Sequence, residues 1–327
     1  MATAAKTGAA EDVDPAVRAA IEYAEKHAGK DDAQFVQALN SHFRGGAVQR
    51  AGRTRGVIPI VPAEVAARSF QIYQDPRYLA NARALARRTL GGLRVIGGAP
   101  VKAGEFVDCV GVGSDSQWGC TGTLIAANAV LTAGHCADFA TRIYFGTDVS
   151  KPGKVVRVKK RVRHPQYHRG QHNDLMVLVL EERVTTVKPR KLAAKTLLDK
   201  ATDGRVVGFG NTDPAGSFGY GVKRFVDVPI ASPACRGKVD GADDKVTYGC
   251  DPGLELVAGR PLLSRDSCTG DSGGPFYVIG KNQEWLLGGA TSRATDSAMN
   301  NCGDGGVYVR VDRYRAWIDS IPGVSLR

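Results

Sequence analysis

The sequence predicts an all-β fold over residues 95–327, preceded by a small and mostly α-helical segment over residues 1–94. Beyond Gly91–Gly92, short valine-rich stretches alternate with Gly, Asp and Asn, which is typical of short strands joined by turns. The chain also contains 40 glycines, a composition that suits many tight turns. All seven cysteines lie at or after Cys109, so the two parts differ in composition as well. These observations favour an antiparallel sandwich or barrel for the larger part.

Two helical stretches are predicted in the N-terminal part, over residues 14–43 and 76–90. Asp14 followed by Pro15 is typical of a helix start, and apolar residues recur at helical spacing in both stretches. The residues between them include 44–62, which are rich in Gly, Arg and Pro and predict a linker or exposed loop. We therefore expect a propeptide or a helical adaptor joined to the β domain.

The β part contains strand patterns along its whole length, in the stretches TLIAANAVLTA, RIYFG, DLMVLVL, RVVGFG, FYVIG and GVYVRV. The basic run from Lys154 to Arg163 alternates with valines, and it predicts a strand with a charged outer face rather than a nucleic-acid site. The segment from Asp312 to Ile321 places Tyr314 and Trp317 at helical spacing. It predicts a closing helix.

Composition narrows the classes of function. Apolar residues make up 43% of the chain, enough for a large core, but no run of about 18 of them occurs, so we expect no membrane span. The formal charge of +11 is spread over both parts, which indicates general solubility or loose attraction to acidic surfaces. No nucleic-acid partner is expected.

The stretch CTGDSGGP, from Cys268 to Pro275, is a candidate nucleophile loop. A serine hydroxyl becomes a nucleophile when a base removes its proton and donors stabilise the oxyanion that forms. Glycines let the backbone approach a substrate carbonyl, so the amides of Gly270 and Ser272 are the predicted oxyanion donors. Taken alone, this string could also be an ordinary glycine-rich loop.

Two further stretches supply a base and an acid. VLTAGHC places His135 at the end of an apolar strand, and HNDLMVLVL places Asp174 at the start of a buried one. A lone histidine at such a place is more often structural. A carboxylate there is costly unless it is hydrogen-bonded, and an imidazole N–H would satisfy it. With Ser272, the chain order is histidine, aspartate, serine.

These motifs, together with RVIGG from Arg94 to Gly98, resemble those of the chymotrypsin/trypsin family of serine proteases. The resemblance covers residues 95–327 and is specific because four separated motifs occur in the family's order. It implies two packed six-stranded antiparallel β-barrels with a C-terminal helix, and an endopeptidase with no cofactor. The calcium loop of many relatives lacks its acidic ring here, so we expect no metal.

The RVIGG motif implies synthesis as an inactive precursor. By resemblance, cleavage falls between Arg94 and Val95, and the new Val95 ammonium pairs with Asp271. The charge argument is independent, because a buried carboxylate beside the nucleophile needs a cation. The cut follows an arginine, so the activating protease could be a second copy of this chain. Alternatively, Gly97–Gly98 is only a linker.

The resemblance also assigns a substrate pocket. Asp266 matches the floor of the primary pocket, where an aspartate selects arginine or lysine before the cut. Ser267 beside it is assigned to substrate binding, and Gly306 matches the glycine that keeps the pocket open. We therefore expect protein or peptide substrates that are cut after Arg or Lys.

Three adjacent residues mark the edge of this pocket. Ser292 matches the serine that hydrogen-bonds the catalytic aspartate and borders the substrate strand. Arg293 departs from the family, which usually has tryptophan there, and Ala294 stands where trypsin-like pockets usually have glycine. Arg293 could favour acidic residues upstream of the cut, and the Ala294 methyl could narrow the pocket mouth.

The cysteines are paired by resemblance, with Cys109 left over as a buried thiol or a link to another chain. The expected disulfides are Cys120–Cys136, Cys235–Cys250 and Cys268–Cys302. Three disulfides imply an oxidising compartment, whereas the N-terminus has no signal-peptide pattern. As written, the chain is expected to be cytoplasmic; the alternative is a secreted or periplasmic protein with an upstream leader.

Two functional hypotheses follow from different classes. The first is an active serine endopeptidase that is made as a precursor. If it acts inside the cell, its expected role is regulatory, namely the cleavage of a partner effector protein. The second is a catalytically silent binding or scaffold protein on the same fold. The chain retains the triad and the oxyanion glycine that silent relatives usually lose, which favours the first hypothesis.

Overall fold

The computed structural model describes residue 26 and residues 98–168, 172–212, 219–239, 241–259, 266–298 and 302–326. Lys26 is helical, as predicted. The rest of the predicted N-terminal helices and linker, and the bond between Arg94 and Val95, lie outside the described residues.

Strands dominate the described part of the chain. In chain order they are β1 (Ala99–Pro100), β2 (Cys109–Gly113), β3 (Trp118–Ala126), β4 (Ala129–Thr132), β5 (Arg142–Phe145), β6 (Lys154–Arg163), β7 (Met176–Leu180), β8 (Asp203–Gly208), β9 (Arg224–Ser232), β10 (Lys238–Val239), β11 (Ala242–Asp243), β12 (Glu255–Ala258), β13 (Pro275–Ile279), β14 (Trp285–Ala294) and β15 (Gly306–Arg310).

Within the described residues, most of these strands form two closed six-stranded antiparallel barrels, as predicted, while β10 and β11 pair as a separate two-stranded sheet. The first barrel runs in the order β2-β3-β4-β7-β6-β5. The second runs in the order β9-β12-β15-β14-β13-β8 and is closed by pairing of β8 with β9, while β1 adds to the edge of β9. Closure leaves few free strand edges in either sheet.

The basic run forms β6 on the outside of the first barrel. Val156 is buried in the barrel core, whereas the six lysines and arginines of this strand are exposed. The run is therefore a strand with a charged outer face, as its alternation predicts.

The helices are short. Among the described residues from 98 onward they are α1 (Lys195–Leu198), α2 (Asp244–Tyr248) and α3 (Arg315–Asp319), with 3₁₀ turns at Gly134–Asp138 and Val311–Arg313. The closing helix is thus shorter than the predicted Asp312–Ile321. Its last predicted residue precedes Pro322, and the residue before a proline is disfavoured in the helical conformation. No helix among the described residues is long and apolar enough to cross a membrane.

A single apolar cluster joins the two barrels. It contains Ile125 and Leu131 from the first barrel and Val207, Tyr277 and Leu287 from the second, all buried. The barrels also meet through the backbone, where the Thr121 N–H of β3 donates to the Ser272 carbonyl at 2.9 Å. This junction places the loop that contains Ser272 against β3 of the first barrel.

Candidate active site

His135 and Asp174 meet because β4 and β7 are antiparallel neighbours. Thr132, the last residue of β4, pairs with Met176, the first of β7. His135 follows β4 in a 3₁₀ turn, and Asp174 lies just before β7. The Asp174 Oδ2 lies 2.8 Å from the His135 Nδ1, and its Oδ1 accepts the His135 backbone N–H at 2.9 Å. These two contacts fix the imidazole on the carboxylate.

The environment of Asp174 keeps its carboxylate charged. The side chain is nearly fully buried, and the Ser292 Oγ donates to its Oδ2 at 2.7 Å. Burial acts to raise the pKa of Asp174, but the hydrogen bonds and charge of His135 and the Ser292 bond outweigh it, so the pKa lies below its ordinary value. An ionised Asp174 makes the His135 Nδ1 the protonated nitrogen and leaves the Nε2 as the base.

The loop around Ser272 is held between both barrels. The Gly273 N–H donates to the Thr291 carbonyl at 2.8 Å, beside Ser292. A Cβ on Gly273 would lie 2.1 Å from the Thr132 Oγ1 and 2.4 Å from the Ala133 N, so only glycine permits this approach. Ser272 is therefore placed at the end of the strand that leads to His135.

The amides predicted to bind an oxyanion have no competing partner. Within the described part of the chain, the N–H groups of Gly270 and Ser272 donate to no acceptor. Gly270 has a φ of 101°, which favours glycine, and its carbonyl accepts the Thr121 hydroxyl at 2.8 Å. This geometry holds the loop while leaving two donors available.

Asp271 is buried in a glycine-lined cradle. Its carboxylate accepts the N–H of Gly210 at 2.8 Å and that of Cys268 at 2.9 Å. Burial raises its pKa to about 6 despite these bonds. A Cβ on Gly208 would lie 2.0 Å from its Oδ1, so the close approach depends on that glycine. A cavity of about 30 Å³ adjoins Asp271, and Gly98 also lines it.

Asp266 lies at the predicted pocket floor, partly buried. Its Oδ1 accepts the Tyr308 hydroxyl at 2.6 Å and the Ser267 N–H at 2.6 Å. Burial raises its pKa to about 7, and these donors only partly offset the effect. A Cβ on Gly306 would lie 2.8 Å from the same oxygen, so Gly306 keeps space open over the carboxylate. Ala294 pairs with Gly306 across the two strands.

Arg293 is committed to a partner that sequence reasoning missed. Its guanidinium donates to both carboxylate oxygens of Glu255, at 2.8 and 2.7 Å. This ion pair counts against the suggestion from sequence that Arg293 attracts an acidic substrate residue, which stays a prediction. The available signal was Glu255 itself, an acid at the start of the buried strand ELVA, since buried carboxylates require a partner.

The cysteines pair as the resemblance implied. The disulfides are Cys120–Cys136, Cys235–Cys250 and Cys268–Cys302. Cys109 is a buried free thiol whose S–H donates to the Val207 carbonyl at 3.6 Å, and burial raises its pKa well above the ordinary value. The sulfurs of Cys120 and Cys136 lie near the His135 ring, but their bond to each other removes them as metal ligands.

Comparison with known proteins agrees with this arrangement. The sequence model of the trypsin family, described as "Trypsin", matches residues 95–318. Trypsin 5G1 of Aedes aegypti is 33% identical over 256 residues, which cover 75% of this chain and 88% of that protein. Kallikrein-7 of Homo sapiens is 31% identical over 250 residues, covering 72% and 91%. Serine protease snk of Drosophila melanogaster is 27% identical over 305 residues, covering 80% and 67%.

The family match spans more than half of the chain, and trypsin 5G1 is 33% identical to 75% of it. The two barrels and the histidine–aspartate contact at their junction are the structural counterpart of that match. The chain therefore belongs to the trypsin family of serine proteases and is a serine endopeptidase.

Proposed function

We propose that His135, Asp174 and Ser272 form the catalytic triad of this endopeptidase. The observation that carries the proposal is the pair of bonds that fix His135 on a buried, ionised Asp174. The Ser272 Oγ attacks the scissile carbonyl carbon while its proton passes to the His135 Nε2. The amides of Gly270 and Ser272 stabilise the oxyanion. The C–N bond then breaks as His135 returns the proton to the leaving amine, and water hydrolyses the acyl-enzyme.

Kinetics of a serine variant test this assignment. Ser272→Ala is expected to lower kcat by about 10⁴- to 10⁶-fold while leaving substrate binding almost unchanged. Thermal unfolding of the same preparation serves as the folding control. A folded Ser272→Ala protein with wild-type turnover would refute the triad. A folded, processed wild-type protein without turnover would instead favour the silent-scaffold alternative.

The proposed cleavage site follows arginine or lysine. Asp266 places a carboxylate beneath the space that Gly306 leaves open, and such a group recognises a guanidinium or ammonium. Peptide amides that differ only in the residue before the cut provide the test. Arginine and lysine are expected to exceed phenylalanine by at least about 10²-fold in kcat/KM, and Asp266→Ser is expected to abolish that preference.

Activation is proposed to follow cleavage between Arg94 and Val95. Gly98, three residues after Val95, lines the cavity beside Asp271, within about 10 Å of chain reach. A liberated ammonium at Val95 would neutralise that carboxylate and hold the loop from Gly270 to Ser272. An Arg94→Gln precursor is expected to be inactive. Equal activity of this uncleavable protein and the processed enzyme would refute the mechanism.

The cellular setting is a separate proposal, in which the enzyme acts in the cytoplasm as a regulatory protease and residues 1–94 either block the cleft or recruit a partner. Alkylation of thiols in cells lysed directly into denaturant without reductant, followed by intact-mass measurement, tests the compartment, because denaturation exposes the buried Cys109. One alkylated cysteine, with three disulfides intact, would place the chain in an oxidising compartment. Seven alkylated cysteines support the cytoplasmic proposal.

A further inference from the structure

A buried ion pair connects β12 to β14 next to the candidate triad. Glu255 is 1% exposed and the side chain of Arg293 is 18% exposed. The two parallel bonds between them form a fork, the geometry that gives arginine–carboxylate pairs directional specificity. Glu255 also accepts the Asp251 N–H at 2.7 Å, which fixes the carboxylate from its other side. The orientation of the guanidinium is therefore determined by the fold.

The same guanidinium reaches the hydroxyl that supports Asp174. The Arg293 Nη1 donates to the Ser292 Oγ at 3.3 Å, and the Ser292 Oγ donates to the Asp174 Oδ2 at 2.7 Å. A hydroxyl has one hydrogen to donate, so an N–H directed at its oxygen leaves that hydrogen for Asp174. Arg293 thus orients the donor that holds the catalytic carboxylate.

The other terminal nitrogen of Arg293 is occupied as well. Its Nη2 donates to the Gly249 carbonyl at 2.7 Å as well as to Glu255. A guanidinium with this many partners has little capacity to bind an anionic substrate residue. This observation favours an internal role over recognition of an acidic side chain.

Charge in this region points the same way. The carboxylates that face Arg293 are Glu255 on β12, Asp251 in the preceding turn, and Asp174 before β7. His172 contacts Asp251 through its Nδ1. Tyr314, which directly precedes α3, also faces this cluster: burial and the negative charges of the same three carboxylates raise its pKa. Arg293 is therefore the permanent cation that balances a cluster of carboxylates around the catalytic aspartate.

Resting on the proposed function, we infer that Glu255 and Arg293 form a positioning unit that acts on Asp174 through Ser292. Neither residue needs to touch substrate for this role. Arg293 and Glu255 lie 38 residues apart in the chain, so the sequence motifs do not reveal this means of orienting the Ser292 hydroxyl.

The main test is a kinetic cycle on the processed enzyme with an arginyl peptide amide. Arg293→Met is combined with Glu255→Leu, because replacing both partners of a buried pair by apolar residues usually preserves stability. This double variant is expected to lower kcat about five- to tenfold, the effect of one misdirected hydrogen bond, with KM unchanged within about twofold. In a Ser292→Ala background the same double change is expected to have no further effect on kcat.

A matched control is available on the same barrel. Arg205 and Asp227 form a similar fork, at 2.7 and 2.8 Å, and within the described residues it contacts no member of the candidate triad. Their apolar replacement, Arg205→Met with Asp227→Leu, is expected to leave kcat unchanged within about twofold. Arg293→Lys retains the charge without the fork, and it is expected to recover only part of the lost turnover.

Three outcomes would overturn the inference. The first is an equal loss of kcat in the wild-type and Ser292→Ala backgrounds. The second is a change in KM alone. The third is a wild-type preference of about tenfold for aspartate over alanine upstream of the cut, which would make Arg293 a substrate-binding charge. Failure of the triad assignment is distinguishable, since it would appear as wild-type turnover in Ser272→Ala.

Discussion

The raised pKa of Asp266 predicts that binding of cationic ligands weakens as the pH falls through 7. Its carboxyl has a pKa of about 7, so the free pocket is about 90% ionised at pH 8 and about 10% ionised at pH 6. A cation binds the ionised form. The dissociation constant for benzamidine, a small aromatic amidine, is therefore expected to rise about ninefold from pH 8 to pH 6.

Isothermal titration calorimetry on a Ser272→Ala protein measures this without turnover. At pH 7, binding is expected to release about half a proton, because the ligand shifts Asp266 to its charged form. The number of protons released is obtained by repeating the titration in buffers of different ionisation enthalpy, because the measured binding enthalpy changes in proportion to it. A His135→Ala variant, which lacks the imidazole of the candidate triad, serves as the control, and the pH dependence is expected to persist in it.

The Tyr308 hydroxyl, which donates to Asp266 at 2.6 Å, offers a second control. Tyr308→Phe removes a donor that stabilises the anion, so the fall in affinity is expected to begin at a higher pH. A dissociation constant that stays constant from pH 6 to pH 8 in the wild-type pocket would refute the reasoning. If the pH dependence disappeared in His135→Ala, it would arise from His135 and not from Asp266, which would also refute the reasoning.

Three further substitutions are expected to separate the parts of the site. Gly306→Ser places atoms within 3 Å of the Asp266 oxygen. The kcat/KM for arginyl substrates is therefore expected to fall by more than about tenfold. Retained labelling by a fluorophosphonate would show that the triad is intact in this variant. Ser292→Ala removes one hydrogen bond from Asp174. Steady-state kinetics are expected to show kcat lowered by about tenfold with KM unchanged. A raised KM with unchanged kcat would contradict this role. Cys109→Ala should lower the free energy of unfolding by about 1 kcal/mol in urea titrations and leave kcat/KM unchanged, whereas lost activity would assign the thiol a role in the site.

The site was largely predictable because its residues lie in contiguous motifs. Strand patterns before His135 and after Asp174 indicated rigid elements, and the antiparallel pairing of β4 with β7 then brought the two together. The three disulfides followed from the family resemblance and were confirmed.

Other features depend on pairings between distant segments and could not be predicted. Glu255 and Arg293 are 38 residues apart, and only the neighbouring strands of the second barrel reveal that they meet. The suggestion that Arg293 attracts acidic substrate residues was made without knowledge of this pair, and it stays a prediction. The pKa of Asp266 depends on its burial, which sequence does not specify. The predicted adaptor over residues 1–94 stays a prediction.

The rate of covalent labelling by a fluorophosphonate tests the central claim most directly, because this reagent requires a hydroxyl activated by a neighbouring base. Peptide mapping of the labelled protein is predicted to find one adduct, on Ser272, with labelling slowed by at least about 10³-fold in His135→Ala and in Asp174→Asn. An unlabelled wild-type enzyme after processing at Arg94, or labelling that is equally fast in both variants, would contradict the account.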